Sequence, residues 1–164
     1  MNWLDAAWLA VLGLSILLGL WRGFIREVFS LAGWIAALGT AALFTPDAAA
    51  FLPAAVASPV ARNVIAFLVI FIVVLLACAF AGIVLSKAFR AAGLGLPDRV
   101  LGGVFGFARG ALILVVFALA AAFTSLPKEP IWRESALTPA LETAAVGLKP
   151  WLPPRIAERV RYRE

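Results

Sequence analysis

The groups in this chain that could do chemistry are few. Its 164 residues include no histidine and one cysteine, Cys78, which removes the usual zinc and haem ligand sets and every histidine general base. Cys78 lies deep in an apolar run, where a thiol stays protonated and serves packing. Ser86 and Lys87 are adjacent and point apart on a helix, so a serine–lysine dyad fails. Asp5 and Asp98 are expected on opposite sides of a membrane, so an aspartyl pair fails too. Gly93 and Gly95 lack the third glycine of a dinucleotide fingerprint, because position 98 is Asp and no strand precedes them. No catalytic residue, metal ligand or cofactor is expected, and the chain reads as non-enzymatic.

What remains is a set of charges and a row of glycines. Arg22, Arg26 and Glu27 fall in one short stretch, and Asp98, Arg99 and Arg109 in another. Arg22 and Arg26, four apart, share a helical face. Asp98 stands at the mouth of an apolar run, where a carboxylate is expected to cap that helix's own first N–H groups. Arg109 falls inside the run, where a guanidinium is costly unless it is partnered or snorkels to the interface, and snorkelling is the expectation. Acids of one stretch can neutralise arginines of the other, with Glu27–Arg109 and Asp98–Arg26 the favoured pairs. Gly102, Gly106 and Gly110 recur every four residues, and in lipid such a ridge lets another helix approach closely.

Positioning these groups falls to a membrane architecture. The chain is 64% hydrophobic and 14% charged, with mean hydropathy +1.03, whereas a soluble domain carries roughly 25% charged residues. Apolar runs at 3–21, 28–44, 64–85 and 100–123 suit a bilayer crossing of about 17–25 residues. The expected fold is all-α: a polytopic membrane protein with four transmembrane helices arranged as two antiparallel hairpins. The first run has neither a basic leader nor a small-residue cleavage site and is expected to be retained. Asp5 near its start is expected to reach interfacial water.

Residues 45–63, interrupted by Pro46, Pro53 and Pro59, are expected as a break with short surface helices. Residues 1–124 then form the transmembrane domain, and 125–164 a Pro-rich charged tail with short helices at 135–145 and 155–163. The net charge of +5 is scattered and interleaved with acids. That pattern points to the lipid bilayer and topology control, and nucleic acid is not an expected partner. Counting Lys and Arg near the runs puts the one–two and three–four turns in the cytoplasm and both termini outside.

Asp5, the stretch Arg22-Gly23-Phe24-Ile25-Arg26-Glu27, and Asp98-Arg99-Val100-Leu101-Gly102 followed by Phe105-Gly106 and Arg109-Gly110 together resemble the colicin V production protein family. The likeness covers residues 1–124. It implies a four-helix protein of the bacterial inner membrane, termini periplasmic, linked to toxin production or export and to envelope homeostasis; it brings no catalytic residues. Two readings stand. One is a non-enzymatic export accessory, in which the glycine ridge packs helices and the charge cluster receives an unidentified membrane protein partner or a second copy of the chain. The other is a small oligomeric channel or transporter, with Arg22, Arg26, Asp98 and Arg109 lining a cytoplasmic entrance.

Overall fold

The computed structural model describes residues 2–53, 58–148 and 150; the helix expected at 155–163 lies outside them. The described residues form six α-helices and one 3₁₀ turn: α1 Trp3–Arg22, α2 Phe24–Ala50, α3 Pro59–Ala91, α4 Gly95–Ala121, the turn Leu126–Lys128, α5 Pro130–Arg133 and α6 Thr138–Gly147. Helices α1 to α4 are each long and apolar enough to cross a membrane. Away from the helix ends their outward side chains are mostly apolar, among them Leu17, Leu43, Leu76, Phe80 and Val104, all exposed.

Local signals set the helix ends. Ser58 accepts the Ala61 N–H and Pro59 opens α3 at its first position, where a missing N–H costs nothing. At the other end, Leu94 N–H donates to the Phe89 carbonyl and Gly93 N–H to that of Arg90. With Gly93 at φ 81°, this is a Schellman closure, which turns the chain from α3 into α4. The break expected at residue 45 does not occur there: α2 runs through Pro46 to Ala50. Pro46 falls in the last turns, and the Thr45 hydroxyl donates to the Ala41 carbonyl at 2.6 Å, a side-chain bond of the kind that compensates a proline in an apolar helix.

The chain divides into two compact units, residues 22–102 and residues 1–21 with 103–164. In the first, α2 and α3 pack antiparallel along a seam of small residues. A Cβ on Gly33 would lie 2.9 Å from Cys78 Cβ, and one on Gly82 would lie 2.8 Å from Phe29 Cβ. Trp34 meets Phe71 edge-on at 5.4 Å. Cys78 is thus a packing residue opposite a glycine.

In the second unit, α1 packs antiparallel to α4 and residues 122–148 close over one end of the pair. Leu4, Trp8, Leu114, Ala118, Ala121, Trp132 and Ala145 form its buried core. Trp8 stands edge-on to Phe117 at 5.1 Å and to Trp132 at 6.2 Å. The lengthwise packing described within units is therefore α2 with α3 and α1 with α4, whereas the expected hairpins join α1 to α2 and α3 to α4.

Candidate functional site

Two places gather the polar groups of the long helices. The first is the turn at residues 22–25, in the unit of residues 22–102. A single residue, Gly23, separates α1 from α2, at φ 87° and ψ 159°, a backbone region open essentially to glycine alone. Gly23 has no side chain to cap α2, and the cap comes from 73 residues downstream: the Ile25 N–H donates to Asp98 Oδ1 at 2.9 Å. Asp98 is 4% exposed, and its carboxylate lies over Gly23, so that a Cβ there would fall 2.8 Å from Asp98 Cγ and collide with Oδ2.

On the other side of the turn, Arg90 Nη2 donates to the Arg22 carbonyl at 3.3 Å and to Ser86 Oγ at 3.1 Å. A carboxylate thus sits at the N-terminus of α2 and a guanidinium at the C-terminus of α1, each the sign that the helix dipole favours. Within the same stretch, Arg22 Nη1 pairs with Glu27 Oε1 at 3.4 Å, the acid being buried and the arginine half-exposed. Arg99 is exposed and Arg26 half-buried.

Asp98 departs from its expected roles. Its own helix starts at Gly95, which leaves it in the first turn with its carboxylate directed to α2. It forms no ion pair with Arg26 among the described residues: Oδ1 accepts the Ile25 N–H, and Oδ2 is buried over Gly23 without a hydrogen-bond partner there. Gly23→Ala is expected to cost about 1–3 kcal/mol from the backbone alone, read as a lower midpoint of thermal unfolding in detergent. An unchanged midpoint would show that the turn is not pinned as described.

The second place lies between α1 and α4 in the unit of residues 1–21 and 103–164. The glycines that meet α1 are Gly103, Gly106 and Gly110. A Cβ on each would meet Leu20 Cδ2 at 2.7 Å, Ile16 Cα at 3.1 Å and Leu12 Cδ1 at 3.0 Å respectively. At the middle crossing, Ser15 Oγ donates to the Gly106 carbonyl at 2.7 Å. Arg109 Nε donates to Ser15 Oγ at 3.1 Å and Nη2 to the Ser15 carbonyl at 3.2 Å.

Ser15 is seven residues from the end of α1, about 10 Å along the axis. Arg109 therefore points into a helix contact instead of extending along the surface as expected. Gly102 is buried, while Gly103 takes the position facing α1 beside Gly106 and Gly110. Strict four-residue spacing drifts about 40° per step on a helix, whereas alternating three and four holds one face.

Ser15, Gly23, Ser86, Arg90 and Gly103 had no place in the expected site. Only Gly23, standing alone between two apolar runs, carried a readable signal, that of a turn. A third polar centre was also unforeseen. Asp5 is fully buried and does not reach interfacial water: residues of the downstream segment cover it. Its Oδ1 accepts the Ser135 hydroxyl at 2.6 Å and Leu137 N–H at 3.1 Å, and its Oδ2 accepts Asn2 N–H at 2.9 Å and Ala136 N–H at 3.2 Å. Nearby, Trp132 Nε1 donates to Glu142 Oε1 at 2.8 Å.

Comparison with known proteins agrees with the resemblance in the motifs. A family model described as colicin V production protein matches residues 4–146. A colicin V production protein homolog of Haemophilus influenzae is 38% identical over 137 residues, 83% of each chain. The colicin V production protein of Escherichia coli K12 is 36% identical over 141 residues, 85% of this chain and 86% of that one. No solved structure matches.

Proposed function

Because the chain belongs to the colicin V production protein family, we propose that it is a multi-pass protein of the bacterial inner membrane, with a non-enzymatic role in toxin production or export, or in envelope homeostasis, exercised through helix packing and the binding of a membrane partner. The observation that carries this reading is the distribution of polarity on four membrane-length helices. Their outward surfaces are apolar along the middle of each helix, with exposed charges such as Arg22, Lys87 and Arg99 toward the ends, while Ser15, Asp98, Glu27 and Arg109 turn inward and bond to protein groups, as groups within a bilayer must. Residues 1–124 supply the spans, and the described part of 125–164 is a cap that docks on the start of α1. The consecutive spans form two hairpins, with the 22–25 and 91–95 turns in the cytoplasm and both termini in the periplasm. The docking of residues 131–137 on Asn2 and Asp5 supports termini that share a side.

Single cysteines at Ala50, Ala91 and Ala144, all exposed, in a Cys78→Ala background test the topology. An impermeant maleimide applied to intact spheroplasts is expected to label 50 and 144 and to spare 91; labelling at 91 alone reverses the orientation. The role itself is tested by flux. Proteoliposomes are expected to show background ion leakage, and crosslinking in native membranes to capture a second membrane chain. A conductance that Arg109→Gln abolishes would replace this reading with the channel.

A further inference from the structure

The end of the 22–102 unit that carries the Gly23 turn buries its two acids and leaves three of its five cations exposed. Glu27 and Asp98 are both buried, the first paired with Arg22 and the second bonded to Ile25. Arg22, Lys87 and Arg99 are exposed, and Arg26 and Arg90 half-buried.

Arg26 and Arg90 belong to one seam. On α3, Gly82, Ser86 and Arg90 succeed one another every four residues. A Cβ on Gly82 would lie 3.8 Å from Arg26 Cα, Ser86 is fully buried, and Arg90 folds back onto Ser86 Oγ. In both guanidiniums the Nε–H is covered and has no acceptor among the described residues. A guanidinium presents Nε–H and Nη–H as a fork that fits two oxygens of a phosphate, and each here has an Nε–H to spare for such an anion, Arg90 exchanging its Nη2 bonds to Ser86 and Arg22 for charge-assisted ones. The surface leading to this point is apolar: Phe80, Ile83, Leu85 and Phe89 on α3, with Leu94 and Leu96 beyond its end, are all exposed.

We propose that the Ser86–Arg90 end of the α2–α3 seam seats the phosphate of an anionic phospholipid, gripped by Arg26 and Arg90, with Lys87 and Arg99 adding attraction and the exposed face of α3 taking an acyl chain. This rests on the membrane reading above. A freely diffusing phosphate would have no use for the apolar approach, and a zwitterionic headgroup gains less from the positive surroundings.

The test is native mass spectrometry of the full chain in detergent, titrated with dioleoylphosphatidylglycerol or dioleoylphosphatidylcholine. The phosphatidylglycerol is expected to be retained about tenfold better, the scale of one charge-assisted bond. Arg26→Gln breaks no side-chain hydrogen bond among the described residues, and it is expected to reduce retention to the phosphatidylcholine level. Arg26→Lys is expected to fall between, and Arg133→Gln on α5 to change nothing. Equal retention of the two lipids overturns the proposal, as does undiminished selectivity in Arg26→Gln, or displacement of phosphatidylglycerol by millimolar inorganic phosphate. Flotation with neutral phosphatidylcholine vesicles separates the two readings: a protein that floats with them but shows no lipid preference loses only the lipid seat, and one that floats with no vesicle loses both.

Discussion

Gly106→Leu is expected to leave little folded protein, and Gly106→Ala to be nearly as damaging. The reason is what surrounds the missing side chain. A Cβ at 106 would collide with the Ser15 carbonyl oxygen and lie 3.1 Å from both Ser15 C and Ile16 Cα. These are backbone atoms of α1, which cannot step aside without moving the helix. The same displacement breaks the Ser15–Gly106 hydrogen bond and pulls Ser15 away from Arg109, costing the guanidinium two acceptors among apolar helices. Overpacking alone costs about 1–3 kcal/mol where side chains can yield, and here they cannot. At Gly103 and Gly110 the first atoms met are the flexible ends of Leu20 and Leu12, so alanine there is expected to be milder. Leu112, exposed at 59%, is the control: Leu112→Ala trims a mostly exposed side chain and is expected to stay within about 0.5 kcal/mol of wild type. The measurement is the fraction of each variant that remains monodisperse by size-exclusion chromatography after heating in detergent. Wild-type recovery of Gly106→Leu would remove the close crossing from the account.

How much of this was legible in the sequence depends on the range over which each interaction acts. Four membrane-length helices follow from apolar runs, a property of each segment by itself, and the structure extends those runs by a few residues at caps such as Ser58 and Gly93. The glycine contact was half legible. Gly106 and Gly110 emerge from spacing, but the choice between Gly102 and Gly103 depends on which face meets α1, and no local pattern states that. The partners of charges were least legible, because a charge at a helix end has a local explanation that competes with a distant one. Asp98 looks like the cap of its own helix and serves α2; Asp5 looks like an interfacial acid and binds residues 135–137. In both cases the backbone N–H groups that decide the matter belong to a segment far along the chain, brought there by packing. Family likeness did not reveal them either, since a motif says which residues recur and not what they touch.

Asp5→Ala is expected to release residues 131–138 while leaving the α1–α4 and α2–α3 pairs packed. The carboxylate accepts four hydrogen bonds, three of them from Ser135, Ala136 and Leu137 and one from Asn2. Asn2 in turn donates from its side chain to the Ile131 carbonyl at 2.6 Å, so one end of α1 holds this segment at two places. Removing the acceptor strands backbone donors in a site from which water is excluded, and the simplest relief is for residues 131–138 to lift away and hydrate. Amide exchange at Ala136 and Leu137 is the direct readout. It is expected to quicken by about two orders of magnitude, taking each of the two lost backbone bonds as roughly tenfold, while amides in α2 and α3 keep their protection. Asp5→Asn sharpens the test. The amide keeps the shape of the carboxylate but turns one acceptor into a donor that faces another N–H, so it should behave nearly as badly as alanine. Ser135→Ala removes one bond to the carboxylate and the one that its Oγ accepts from the Thr138 N–H; it should give a smaller effect than Asp5→Ala, and the double variant Asp5→Ala/Ser135→Ala should fall short of additive, because the bond between the two residues is counted in both single variants. Unchanged exchange at 136 and 137 in Asp5→Ala would mean that the Trp8–Trp132 contact and its surrounding apolar core hold the segment without the carboxylate. Loss of protection throughout α1 and α4 would make Asp5 a support of the whole unit, not a tether for one segment of it.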